Sequence, residues 1–340
     1  RDLHVRSRRQ RQMCIRDRVY AAALEKGFAP NTIILDAPFV ESQGVGLKNW
    51  KPENYGKKFY GPSTLRKGIE YSRNLMTVRI AKILGLEEIL NLSKKLNIYD
   101  EIPELLSVSL GAAETTLMNL TSAYATFVNG GRKITPKLIS RIQDRRGKTI
   151  FKKKNLQCTG CDKFINSTTI ELPKIINNSE KVMSEETAYQ MTSILQGAVQ
   201  RGTAKKLRSL KVPLAGKTGT TNDNYDAWFI GFSSDLIIGV YIGYDQPKTL
   251  GKFETGSKAA LPVFKDFVEK ALYKEDFKEF HIPENIYLTS LNYDTGLKSS
   301  AGEKNVIIEA LKLRDINNID NNNLISVNGR DKKVKFRQFY

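Results

Sequence analysis

The sequence predicts an α/β fold of the α+β kind, an antiparallel sheet flanked by helices, and three observations predict it. The run Trp228 to Asp245 (WFIGFSSDLIIGVYIGYD) is built of β-branched and aromatic residues broken by Gly and by Ser233-Ser234. It reads as two adjacent strands joined by a tight turn. Directly ahead of it, Leu214 to Thr221 (LAGKTGTT) reads as a further strand at the sheet edge. The span Phe229 to Tyr244 is too apolar to face water on both sides, so the long helical segments Ser184 to Val199 and Gly256 to Leu272 are expected to cover it.

In chain order, residues 1–18 (RDLHVRSRRQRQMCIRDR) hold seven arginines and no lysine, whereas the remainder prefers lysine. The change is abrupt and has no linker, which marks the segment as foreign or artefactual. Val19 to Gly27 reads as a helix cut into at its start and closed by Gly27. Asn31 to Asp36 is a short strand. The aromatic, turn-rich stretches Trp50 to Tyr55 and Phe59 to Pro62 read as a groove wall or a packed loop. Ser63 is expected to cap a helix running through Leu65, Ile69 and Tyr71. After Ser72-Arg73-Asn74-Leu75, a helix from Thr77 to Leu84 is closed by Gly85, and Glu87 to Leu96 forms the next. Ser72 and Asn74 can turn their polar tips to one side only if the backbone between them is not helical.

Leu117 to Val128 reads as a core helix whose small residues Ser122, Ala123 and Ala125 allow close packing. Lys137 to Phe151 reads as a hairpin around Asp144-Arg145-Arg146-Gly147. Residues 152–180, rich in Lys and Asn, read as an exposed insertion. Ser184 caps the next helix, with Glu185 and Glu186 at its positive end. Ala259, Val263, Phe264, Phe267 and Val268 are the expected buried stripe of the Gly256 to Leu272 helix. Ile286 to Leu291 and Val306 to Glu309 are strand-like, within an extension 276–340 that ends in an Asn-rich tail.

At 340 residues and 40% hydrophobic, the chain is long enough to bury a sizeable core. Its formal charge of +18, from 54 Lys plus Arg against 36 Asp plus Glu, raises the possibility of a nucleic-acid footprint. The charge is spread along the chain and not gathered on a helix with aromatic partners, so a generally basic face is expected and no nucleic acid. No run approaches the roughly 18 apolar residues that span a bilayer, and residues 1–18 contain no hydrophobic signal. Cys158-x-x-Cys161 is too small a set for a four-ligand zinc site, and His4 and His281 are far away in sequence. The pair is left as a disulfide staple or two free thiols, and neither a metal nor a cofactor is expected.

The chemistry-bearing stretch is Lys217-Thr218-Gly219-Thr220. A lysine on an edge strand presents a fixed positive charge, the threonines present hydroxyls, and Gly219 lets a ligand backbone approach. An extended peptide ending in a carboxylate suits such an edge. A phosphate loop is excluded by spacing, because no glycine stands five places ahead of Lys217. Ser72-Arg73-Asn74 taken alone is a cap or a turn.

Together, Ser72-Arg73-Asn74 and Lys217-Thr218-Gly219-Thr220 resemble the Ser-x-Asn and Lys-Thr-Gly motifs of the transpeptidase domain of class A, bifunctional penicillin-binding proteins of the 1A type. The resemblance runs over about residues 19–300. It takes in Val19 to Glu25, Ile34 to Pro38, Trp50 to Tyr55, Thr64 to Arg66, Gly202 to Ala204, Ala215 to Thr221 and Trp228 to Gly231. It implies a serine β-lactamase or D,D-transpeptidase-like fold, with residues 19–275 a partial transpeptidase domain. It also implies acyl transfer from D-alanyl-D-alanine stem peptides to cross-link glycan strands, in a parent that binds β-lactams and carries a glycosyltransferase domain. That parent would be anchored in the bacterial inner membrane, working in the periplasm on cell wall and cell shape. In these terms Ser72 relays a proton, Asn74 holds the substrate amide, and Lys217, Thr218 and Thr220 bind the terminal carboxylate, with Gly219 between them.

One departure is large. The family's Pro-Gly-Ser-x-x-Lys-Pro-Phe segment leads straight into the Val19 helix, which places its nucleophile at position 13 and its lysine at position 16. This sequence has Met13 and Arg16 there. The expectation is a truncated, catalytically inactive chain that retains the carboxylate-binding half. The alternatives are a peptide-binding module that keeps part of the groove, or a nucleic-acid binder acting through the arginine arm.

Overall fold

A computed structural model of the chain describes residues 10–11, 16–42, 48–99, 104–111, 113–152, 156–159, 174–221, 224–246, 248–273, 277–316, 319, 324–325 and 336–337. The first half runs β1 (Gln10–Arg11), α1 (Asp17–Glu25), β2 (Ile33–Asp36), β3 (Gly61–Thr64), α2 (Leu65–Glu70), α3 (Asn74–Leu84), α4 (Leu86–Lys95), β4 (Glu114–Thr115) and α5 (Leu117–Val128). Two hairpins follow, β5 (Arg141–Gln143) with β6 (Thr149–Lys152) and β7 (Leu156–Thr159) with β8 (Lys174–Asn177). Then come α6 (Glu185–Gln200), β9 (Ala215–Thr220), β10 (Asp226–Phe232), β11 (Ile237–Gly243) and α7 (Ala260–Ala271). The last elements are β12 (Ile286–Asn292), β13 (Val306–Lys312), α8 (Leu313–Ile316), β14 (Leu324–Ile325) and β15 (Phe336–Arg337).

The central sheet has the order β11-β10-β9 and is antiparallel, with β9 at its edge. Lys217 stands opposite Ile230 and Thr218 opposite Phe229. The period-two alternation of β10 divides the core in two. Trp228, Ile230 and Phe232 face the cluster built from α1, α5 and α6, while Ala227 and Phe229 face Leu261, Phe264 and Val268 of α7. Trp228 and Phe229 are fully buried, so β10 is covered on both faces as the sequence predicts, whereas β11 is half-buried along its length and Tyr244 beyond it is exposed.

Two expectations need correction. Val263 and Phe267 are 51% and 47% exposed; the buried face of α7 is Ala260, Leu261, Phe264 and Val268. The two exposed residues each precede a buried one and so lie about 100° round the helix from it. Ser63 does not cap α2: the helix follows Thr64, which makes no side-chain cap, and Ser63 turns its hydroxyl to Gly61 O at 3.4 Å. The open N–H groups of α2 donate instead to the backbone, Leu65 N to Thr32 O at 2.7 Å and Arg66 N to Pro30 O at 2.9 Å. Ser184 does cap α6, accepting from Thr187 N at 3.2 Å, and it also donates to Glu25 at the end of α1. Within the stretch expected as an insertion, β7 pairs with β8, a pairing that Lys- and Asn-rich composition does not announce. Cys161, and with it the Cys158–Cys161 pair, lies outside the described residues.

Where α6 ends, Gly202 lies directly on the end of α2. A Cβ there would meet Glu70 O at 2.2 Å, the same carbonyl that accepts Thr203 N at 3.0 Å. Gly202→Ala is therefore expected to lose about 1–3 kcal/mol of stability. A thermal melt that does not fall would show that the backbone has room to shift.

Candidate active site

The turn between α2 and α3 positions Ser72. Arg73 N donates to Gly68 O at 2.8 Å and Ser72 N to Ile69 O at 3.0 Å, the paired bonds that close a helix through a left-handed residue. That residue is Ser72 itself, at φ +55°, where glycine is the usual occupant. Such a conformation persists only where its surroundings hold it. The non-helical backbone needed between Ser72 and Asn74 is thus present.

Asn74 opens α3. Its N–H donates to the Asn54 side chain at 2.9 Å, which also receives Leu75 N at 3.3 Å. Asn54 caps α3 from 20 residues away, and Asn54 Nδ2 donates to the buried Asp36 at 2.8 Å. Asn74 Nδ2 donates to Glu53 O at 2.6 Å. The Trp50 to Tyr55 stretch, which the sequence offers as a groove wall or a packed loop, thus positions the Ser-x-Asn turn. Asparagine's preference for capping sites was the available signal, but the helix it caps lies too far along the chain for local pattern to connect them.

Across from this turn, Lys217 Nζ donates to Ser72 Oγ at 2.5 Å and to Thr218 O at 2.9 Å. Lys217 is 1% exposed. Thr218 Oγ1 donates to Thr203 Oγ1 at 2.9 Å, and Thr220 Oγ1 accepts from Gly256 N at 3.0 Å. Gly219 lies opposite Trp228, and Gly219 O is one of the atoms that a Cβ on Gly256 would strike. Among the described residues β9 pairs with β10 alone, which leaves its other edge without a strand. Thr203, joined to Thr218, was not singled out as a site residue by the sequence reading.

Met13 lies outside the described residues. Arg16 is 4% exposed, and its Nη1 donates to Ser72 O at 2.8 Å and to Asn74 Oδ1. The guanidinium therefore bridges the two ends of the Ser-x-Asn turn. Asp17 beside it is buried and accepts from Tyr124 Oη at 2.7 Å. Burial pushes the Asp17 carboxyl above its ordinary range, with Lys217, the Tyr124 bond and Arg16 opposing the shift. No group of three or more His, Cys, Asp or Glu residues among the described residues is arranged to hold a metal ion.

The fold sets an edge strand carrying Lys-Thr-Gly against a Ser-x-Asn turn, an architecture of the β-lactamase-like kind. The profile of the penicillin binding protein transpeptidase domain matches residues 18–269, and the chain belongs to that family. It is 41% identical to penicillin-binding protein 1A of Rickettsia conorii, over 90% of this chain and 39% of that protein. It is 31% identical to penicillin-binding protein 1A of Pseudomonas aeruginosa, over 92% of this chain and 42% of that protein. Its structure is similar to the crystal structure of penicillin-binding protein 1A from Haemophilus influenzae, with a TM-score of 0.76 and 30% identity over 89% of this chain and 48% of that one. The chain thus spans less than half the length of these relatives.

Proposed function

We propose that these residues form the transpeptidase domain of a peptidoglycan D,D-transpeptidase, and that the chain as given retains its carboxylate-binding half without its nucleophile. The observation that carries the reading is the 2.5 Å contact between Lys217 Nζ and Ser72 Oγ, which joins two motifs 145 residues apart. Separate polar motifs serve one substrate when their tips converge. In an intact parent, a serine one helical turn ahead of a lysine attacks the D-alanyl-D-alanine carbonyl. The bond to the terminal D-alanine breaks, and the acyl group passes to an amine on a neighbouring strand. Ser72 then carries a proton toward the departing amine, helped by the Lys217 charge, which favours release of the hydroxyl proton. Asn74 offers its amide to the stem peptide, and the open edge of β9 pairs with that peptide as a further strand. Lys217, Thr218 and Thr220 receive the terminal carboxylate.

The wider reading is of a parent with a glycosyltransferase domain and a membrane anchor, acting on glycan strands and acylated by β-lactams. Among the described residues no helix is long and apolar enough to cross a membrane. Residues 1–18 and 276–340 are assigned to a foreign segment and a C-terminal extension. A peptide-binding module remains the second reading, and the Arg16 bridge favours it for this chain, because the guanidinium occupies the slot where the family places a base. Titrating the labelled chain with an N-acetyl D-alanyl-D-alanine peptide is expected to shift the amide signals of Thr218, Gly219 and Thr220. A titration that moves none of them, or moves only distant signals, would overturn the assignment of β9 as the carboxylate site.

A further inference from the structure

The match to the transpeptidase family ends at residue 269, yet the hairpin β12–β13 beyond it is bonded into the element that sets the Ser72 turn. The connection runs through Glu70, the last residue of α2, which is fully buried. Its carboxylate accepts from Arg66 Nη1 at 3.2 Å, from Arg201 Nη2 at 2.7 Å and Nε at 3.4 Å, and from Tyr293 Oη at 2.5 Å. Arg66 in turn donates through Nε to Glu309 of β13 at 2.6 Å. Two guanidinium groups and two carboxylates therefore balance in a site of which three members are almost wholly buried. Burial works against the Arg66 charge, and Glu309 and Glu70 outweigh it. Burial and the Glu70 charge hold the Tyr293 hydroxyl far above its ordinary range, so it remains a donor. Space for the carboxylate exists because residue 197 is glycine, where a Cβ would meet Glu70 Oε1 at 1.8 Å.

Glu70 also acts through its backbone. Its carbonyl accepts Thr203 N, and the Thr203 hydroxyl meets Thr218 on the Lys-Thr-Gly strand. Ile69 and Gly68, the residues just before it, accept the amides of Ser72 and Arg73. One residue thus ties the hairpin on one side to both halves of the candidate site on the other. A second latch lies at α1, where Lys312 Nζ and Arg314 Nη2 donate to Leu24 O at 3.1 and 3.0 Å. Displacing the hairpin would leave buried guanidinium and carboxylate groups without partners, which is unfavourable enough to hold Glu70 in place.

We propose that the β12–β13 hairpin is a positioning element of the site, with Tyr293 and Glu309 fixing Glu70 and through it the left-handed Ser72 turn and the Thr203–Thr218 contact. Its consequence for acyl transfer rests on the function proposed above; the ordering of the turn does not. Tyr293→Phe removes one hydroxyl and leaves the ring, and Glu309→Gln removes one charge. Amide hydrogen exchange on the whole chain, without ligand, is expected to quicken about tenfold at Ser72, Arg73 and Thr203 in either variant, while the β10–β11 amides change little. Lys270→Ala, which removes a surface pair with Asp266 on α7, should leave those amides unchanged. Unaltered exchange at Ser72, Arg73 and Thr203 in Tyr293→Phe overturns the proposal, and so does an equal rise through β10–β11, which would mean global stabilisation alone. If Glu309→Gln fails to fold, Tyr293→Phe still decides. Because no substrate enters the measurement, a failed peptide titration leaves this result standing, and the reverse holds.

Discussion

Incubated with a β-lactam and weighed intact, the chain as given is expected to show no mass increase. A chain carrying Arg11→Pro, Gln12→Gly, Met13→Ser, Arg16→Lys, Asp17→Pro and Arg18→Phe is expected to gain the mass of the drug. The reasoning is chemical. A thioether at position 13 has no proton to give and forms no ester with a carbonyl, and a guanidinium at position 16 stays protonated and cannot serve as a base. Arg16 Nη1 moreover donates to Ser72 O and Asn74 Oδ1, so its charge holds the Ser-x-Asn turn. Loss of a serine nucleophile typically lowers acyl-transfer rates by at least about 10³-fold, which makes the contrast a matter of presence or absence within an ordinary incubation. Ser72 is the competing hydroxyl, since it already sits 2.5 Å from Lys217 Nζ. A stable adduct on the chain as given that disappears in Ser72→Ala would move the nucleophile to Ser72 and refute the assignment of position 13. Restored residues that yield no adduct would show that the remaining site lacks something the family's reaction needs.

The parts of this architecture that were legible in the sequence are those set by short-range periodicity. Trp228 to Asp245 announces β10 and β11 by alternation, and Leu117 to Val128 announces α5 to the residue. Ser184, three residues before Thr187, announces its own cap. The convergence of Ser72 with Lys217 was legible only through the motifs, because nothing in either tripeptide encodes the fold that brings them together. What stayed hidden depends on contacts far along the chain. Asn54 reads as a loop residue until α3 is seen to begin on its side chain. Ser63 looks like a cap because no local pattern reveals that Pro30 and Thr32 already satisfy α2. Ser72 in a left-handed conformation is hidden for the opposite reason, since the preference for glycine there argues against it. The face of α7 was misjudged because Val263 and Phe267 are as apolar as the residues that are buried, and only the position of β10 selects between the two stripes.

Asp17→Pro together with Arg18→Phe is expected to raise Tm, and the size of the effect follows from what the two native side chains do. Both are nearly inaccessible, at 1% and 2% exposure. Arg18 Nη2 donates to Val108 O at 2.7 Å and its guanidinium lies 4.7 Å from the Tyr99 ring centroid, but Nε and Nη1 are buried with no hydrogen-bond partner. Asp17 Oδ1 is likewise buried without a partner. Replacing such charges by apolar groups of similar volume stabilises proteins by about 1–4 kcal/mol. Position 17 is the first residue of α1, where a missing N–H removes no bond within α1, and the cost of proline there is that Arg16 ahead of it must leave the right-handed helical region it now occupies. Phenylalanine at 18 would keep the contact with Tyr99. The Asp17 share is separable by pH. Its carboxyl is pushed up by burial, so the folded chain binds that proton more tightly than the unfolded chain does. Stability from this group is therefore highest in acid and falls as pH rises above the ordinary value of 3.8 and through the raised folded value. Asp17→Asn abolishes the titration, so its Tm advantage over the parent should be greatest at neutral pH and should shrink as pH falls toward 3.8. An advantage that does not vary with pH would place the gain elsewhere than in the buried charge. A double variant that melts at or below the parent temperature would mean that Asp17 and Arg18 are better accommodated than their unpartnered atoms indicate.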